Sequence, residues 1–193
     1  MRAHTAAGKL QGLPDDAPWY EAALLVGVTN ALNVVADSPL ASLEPGHPSA
    51  EAEAVFAEIR AFYACAAVPA VFRWVAADPG YLADLWGATR SAFADNRLTR
   101  RHKEALAFAV SVTTRSSFGA EFHLGEMRRL GVGERGVMEI LGVTQMFSSY
   151  TKIADTLQLE PDMGQIAAVD HSPAPGGSPR SASGTPARRP EAP

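Results

Sequence analysis

Four residues of this chain have types and spacing that could do chemistry together: Glu104, Ser116, Gly119 and His123. Ser116, Gly119 and His123 fall at i, i+3 and i+7, so a continuous helix carries them on one face. Glu104 opens a stretch, Ala105 to Val112, that is apolar almost all the way round. A carboxylate on such a buried helix is costly unless it is paired or hydrogen-bonded. Antiparallel packing of the two helices would bring Glu104 near Ser116 and His123. The chemistry on offer is proton transfer, with His123 as acid/base, Glu104 orienting it and Ser116 as a third catalytic candidate.

The same residues have plain structural readings. Ser116 and Ser117 suit helix N-caps. His123 could be an ordinary histidine on an amphipathic helix face. Glu104 could be a first-turn carboxylate stabilised by the helix dipole and partly exposed, with Arg100, Arg101 and Lys103 making its vicinity wet and ionic. Cys65 reads as a small buried hydrophobe. Trp74, Trp86, Phe93, Phe108 and Phe147 read as core or subunit interface.

The elements that must position the set are all helical. A first helix runs from about Trp19 to Ala36 and stops before Ser38-Pro39. Ser49 caps a second, to about Cys65, with Glu51 and Glu53 in its first turns. Val68-Pro69 opens a short helical turn through Trp74. Asp78-Pro79 pairs an N-cap with proline at the first helical position, starting a helix to about Ala94. Thr99 caps the apolar, central helix that carries Glu104. The His123 helix begins near Ser116 and ends at Leu130-Gly131, where glycine suits a left-handed position. A last helix runs from Glu134 to about Leu157, with Val137, Ile140, Leu141, Thr144, Phe147 and Ala154 on one apolar face. Leu25–Asn30 (LVGVTN) echoes Ile140–Gln145 (ILGVTQ), either as coincidence between two amphipathic helices or as the relic of a duplicated unit.

With no stretch alternating at period two, the fold class is all-α. The expected organisation is one helical domain over 16–162, flanked by a flexible segment 1–15 and a disordered Pro/Ser/Gly/Ala-rich tail 163–193. Hydrophobic residues make up 47% of 193, mean hydropathy is −0.04 and net charge is −4, as in soluble globular domains. No basic stripe is present, which argues against nucleic acid. No apolar run approaches the ~18–20 residues of a membrane span, so no membrane partner is expected. A single cysteine allows no internal disulfide, and a reducing cytoplasm is the default. No His or carboxylate pair has both metal-ligand spacing and a third partner, so neither metal nor cofactor is expected.

The order and spacing of these residues resemble the carboxymuconolactone decarboxylase / alkylhydroperoxidase D-like (AhpD-like) family. Its peroxidase members carry a Glu, then twelve residues later a Cys-x-x-Cys at a helix start, then a His four residues after the second Cys. Glu104, Ser116, Gly119 and His123 occupy those four places without a gap. Val68-Pro69-Ala70-Val71-Phe72-Arg73, Asp78-Pro79-Gly80-Tyr81-Leu82, Leu98-Thr99-Arg100-Arg101, Leu130-Gly131-Val132 and Lys152-Ile153-Ala154-Asp155 extend the likeness over about 60–160.

The resemblance implies an AhpD-like helical bundle and a trimer or hexamer of copies. The departure from it implies that thiol peroxidase chemistry is lost. Ser116 and Gly119 replace the two cysteines, Phe118 stands where some members have a second histidine, and a serine is a weak nucleophile without a strong base. The decarboxylase branch, which also lacks the cysteine pair, implies acid/base work by Glu104 and His123 on a small carboxylated or lactone-like metabolite. That work needs a clamp for a carboxylate. Arg115 and Arg128 are the nearest cations, and Arg115 and Phe118 are taken as substrate-binding candidates. Two other functions compete: a catalytically silent, oligomeric member that binds a ligand or partner, and, third, a peroxidase-related antioxidant protein. Convergence of Glu104, Ser116 and His123 in a pocket favours the enzyme. His123 packed dry against Phe122 or Phe118 favours the silent member.

Overall fold

A computed structural model describes residues 17–39 and 47–160. The expected flexible segment 1–15 and the tail 163–193 lie outside the described residues. Among the described residues there are seven helices and no strand: α1 (Ala17–Ala36), α2 (Ala50–Tyr63), α3 (Ala70–Val75), α4 (Pro79–Phe93), α5 (Arg100–Thr114), α6 (Ser117–Arg129) and α7 (Glu134–Leu157). The protein is all-α.

The helix starts follow local chemistry. The side chains of Ser49, Asp78, Thr99 and Ser116 accept from the N–H of Ala52, Tyr81, His102 and Gly119, closing the first turns of α2, α4, α5 and α6. Past the end of α6, Gly131 takes φ +82°, the left-handed conformation expected there. Helix α2 ends two residues earlier than expected: Ala64 turns left-handed (φ 50°), so Cys65 follows the helix and packs, half-buried, against the main core.

Helix α5 is central, packing against α1, α4, α6 and α7. The main core lies between α1, α2, α3 and α4 and includes Leu32, Phe56, Ile59, Phe72, Leu82 and Trp86. A second cluster joins Leu25, Ala92, Phe93 and Ala107, and a third joins Phe108, Met127 and Val137. Each such fully buried large side chain contributes about 1.5–3 kcal/mol of transfer free energy.

Two expectations need correcting. Over Pro18–Ala36, α1 has the length (19 residues) and mean hydropathy (1.2) of a membrane span. Glu21, Thr29 and Asn33 interrupt the apolar run without lowering the average below that level. In this fold α1 packs on α3, α4, α5 and α6, burying Leu25, Thr29, Leu32, Asn33 and Ala36. The other correction concerns α7. Its inward face comprises Val137, Ile140, Leu141 and Thr144, whereas Phe147 is exposed. Phe147 lies one turn past the stretch of α7 that rests on the bundle, where it borders an open groove with Val26, Leu106 and Val110 and stays exposed.

Candidate functional site

Helix α6 packs along α5, and this contact brings the sequence set together. His123 Nδ1 lies 2.7 Å from Glu104 Oε2, and the Glu104 side chain is fully buried. The other carboxylate oxygen, Oε1, accepts from Arg100 Nε at 2.6 Å, one helical turn earlier on α5. Arg100 also donates from Nη2 to Glu126 Oε2 at 3.1 Å, and Glu126 is held in a two-pronged bond by Arg129 at 2.9 and 2.6 Å. The result is an ionic chain, Arg129–Glu126–Arg100–Glu104–His123, running from the partly exposed Arg129 into the core. Two cations and two anions balance before His123 is counted.

Aromatic rings insulate this chain. The Arg100 guanidinium lies 4.2 Å from the Phe62 ring centroid, with Tyr63 and Phe93 at 5.1 and 5.5 Å. His123 stacks on Phe93 (5.6 Å, 7°) and meets Phe122 edge-on at 5.3 Å. Burial, reinforced by the Glu104 charge, pushes the Tyr63 phenol well above its ordinary value of 10. The Glu126 hydrogen bond raises Arg129 against the opposing effect of desolvation. Glu104 is therefore deeply buried. The surroundings are ionic but not wet, because Arg100 and Lys103 are themselves buried.

The other sequence candidates lie elsewhere. Ser116 is buried and its Oγ accepts from the Gly119 N–H at 3.2 Å as the α6 cap. Among the described residues no hydrogen bond joins it to Glu104 or His123. Arg115 is the left-handed C-cap of α5 (φ 62°). It lines an open groove against α7 with Leu141, Gln145 and Lys152, about 1100 Å³ in volume and away from His123. Arg128 pairs with Glu134 at the surface. Phe118 stacks on Phe122 and lines, with Tyr63, Phe72, Asn33 and His123, an enclosed space beside the imidazole. That space offers about 10 Å³ to the centre of a water-sized sphere, at the threshold for one water.

Gly119 explains why no second thiol could simply be restored. A Cβ there would overlap Asn33 Oδ1 and lie 2.5 Å from Ser111 Oγ. Asn33 donates to Ser111 Oγ (3.2 Å) and Thr114 Oγ1 (3.0 Å), tying α1 to α5 across the position where the side chain of residue 119 would project. The sequence reading took Arg100 only as part of a wet, ionic vicinity and missed Glu126 and Arg129, although the i+4 and i+3 spacings to Glu104, His123 and one another were visible. Asn33, 78 residues from Ser111, left no local signal.

The arrangement is an all-helical bundle with a carboxylate–imidazole pair behind a capped helix start. Residues 79–159 match the model of the Carboxymuconolactone decarboxylase family. The fold is similar to the alkylhydroperoxidase AhpD core from Rhodospirillum rubrum, with TM-score 0.56 and 25% identity over 58% of this chain and 83% of that one. Among curated proteins none matches. Over residues 79–159 the chain is thus similar to the carboxymuconolactone decarboxylase family, and its bundle is similar to the AhpD core.

Proposed function

We propose that this chain is a catalytically silent, non-redox member of the family that works as a homo-oligomeric binding module, its Glu104–His123 pair retained as part of a structural ion chain. One observation carries the reading: the seal around His123. The imidazole is 3% exposed, packed against Phe93 and Phe122, beside a space of about 10 Å³. Small-molecule sites occupy about 300–1,000 Å³, at least thirty times more. Position 116 is a helix cap and position 119 is closed by Asn33 and Ser111, so the thiol chemistry of the peroxidases has no foothold.

A trimer or hexamer suits the exposed apolar residues of α7 and α1, which a soluble monomer would leave in water. A small carboxylated ligand has room in the open groove where Arg115 and Lys152 supply cations. The free Cys65 suits a reducing, cytoplasmic setting.

A second reading has one observation in its favour. Glu104 fixes His123 through Nδ1 while Arg100 fixes Glu104, the orienter-and-base arrangement of acid/base enzymes. On that reading Phe118 and Phe122 would have to swing aside to admit a lactone-like acid. The test is turnover of carboxylated lactones and of organic peroxides by the native protein and by His123→Ala. The silent reading expects no turnover that depends on His123. Activity lost in a folded His123→Ala protein contradicts it and favours the enzyme.

A further inference from the structure

Helix α7 has a second apolar face that the bundle does not use. Val143, Met146, Tyr150, Ile153 and Leu157 are each more than half exposed, and their spacing is 3, 4, 3, 4. That is the a/d seam of a coiled coil, pointing away from the face formed by Val137, Ile140, Leu141 and Thr144. Glu139, at the next d position upstream, ends the stripe.

We infer that this seam docks against α7 of a second copy of the chain. The inference deepens the homo-oligomer reading above and rests on it. Area favours this occupant: the five seam residues and the flanking Phe147, at about 100 Å² from each, supply most of the roughly 800 Å² per partner of a standard interface. Charge favours it too. The positions flanking the seam, where like charges would repel an identical helix, hold Gly142, Phe147, Ser149, Ala154 and Thr156. The charged Lys152 and Asp155 sit outside them. A seam with neutral flanks pairs with itself at no electrostatic cost. Two heptads are too short to associate as free peptides, but α7 is already held as a helix by its inward face, so the ordering cost is met before docking.

The test is light scattering of the full chain with Met146→Glu/Tyr150→Glu, circular dichroism reporting helicity and Lys152→Glu as a control. The seam predicts that the double variant's mass falls at least two-fold with helicity unchanged, while the control keeps the native mass. Should the double variant lose helix, Ile153→Glu at the far end of the seam reads the same loss of mass. An unchanged mass in folded seam variants of an oligomeric native protein overturns the inference and leaves the oligomer reading standing. A strictly monomeric native protein overturns both.

Discussion

Glu104 offers one carboxylate oxygen to His123 at 2.7 Å and the other to Arg100 at 2.6 Å, so a single buried anion joins an imidazole on α6 to a guanidinium on its own helix. A carboxylate committed on both sides is a poor proton carrier. A guanidinium does not surrender its proton in proteins, so no proton relay passes outward through Arg100. The pair is linked to the surface by charge and isolated from it for proton exchange along this route.

Removing that anion leaves a buried guanidinium with one partner fewer. Glu104→Gln should lower stability by about 3–5 kcal/mol, the usual cost of breaking a buried ion pair. Glu53→Gln, which breaks an exposed pair with Arg60, should cost no more than about 1 kcal/mol. Urea denaturation of the two variants side by side checks the contrast.

Gly119 should tolerate no side chain while Asn33 is present. Gly119→Ala places a methyl against Asn33 and Ser111 and should cost about 1–3 kcal/mol by overpacking. Truncating the neighbour in the double variant Gly119→Ala/Asn33→Ala should return part of that loss, a non-additive coupling that a double-mutant cycle measures. Purely additive effects would mean the two positions do not compete for space.

Thr29 is fully buried and, among the described residues, its hydroxyl has no hydrogen-bond partner. Replacing it by the near-isosteric valine removes an unsatisfied polar group at almost no change of shape. Thr29→Val should raise stability by about 1 kcal/mol, read as an increase in the denaturation midpoint with unchanged m-value.

Acid sensitivity should reside partly in Glu21. Desolvation pushes this carboxyl up, but the N–H groups of Leu98 and Arg97 and the ammonium of Lys103 outweigh it and hold it below its ordinary 4.5. A carboxyl whose folded pKa lies below its unfolded one stabilises the fold above the unfolded value. That gain is lost as pH falls toward the folded value. Stability measured from pH 7 down through about 4 should therefore fall less steeply in Glu21→Gln than in the native protein.

Much of the architecture was legible because helix starts and stops are local chemistry. Ser49, Asp78-Pro79, Thr99, Ser116 and Gly131 each satisfy or terminate a turn within four residues, and each was readable from its neighbours. The Glu104–His123 contact was legible through spacing and resemblance together. Exposure was not. Whether charged residues near Arg100 face water depends on Phe62, Tyr63 and Phe93, which arrive from two other helices. The seal at Gly119 depends on Asn33, and the outward seam of α7 was hidden because its residues interleave with the inward ones. A helix with two apolar faces reads, residue by residue, like one broad face.

Selective acylation of histidines by diethyl pyrocarbonate, followed by peptide mass spectrometry on the native protein, tests the sealed site most directly. His47 and His102 are exposed, whereas His123 is 3% exposed behind Phe93 and Phe122. The account predicts rapid labelling of His47 and His102 and protection of His123 until the protein is unfolded. Labelling of His123 at the rate of His102 under native conditions would contradict it and show a site open to small molecules.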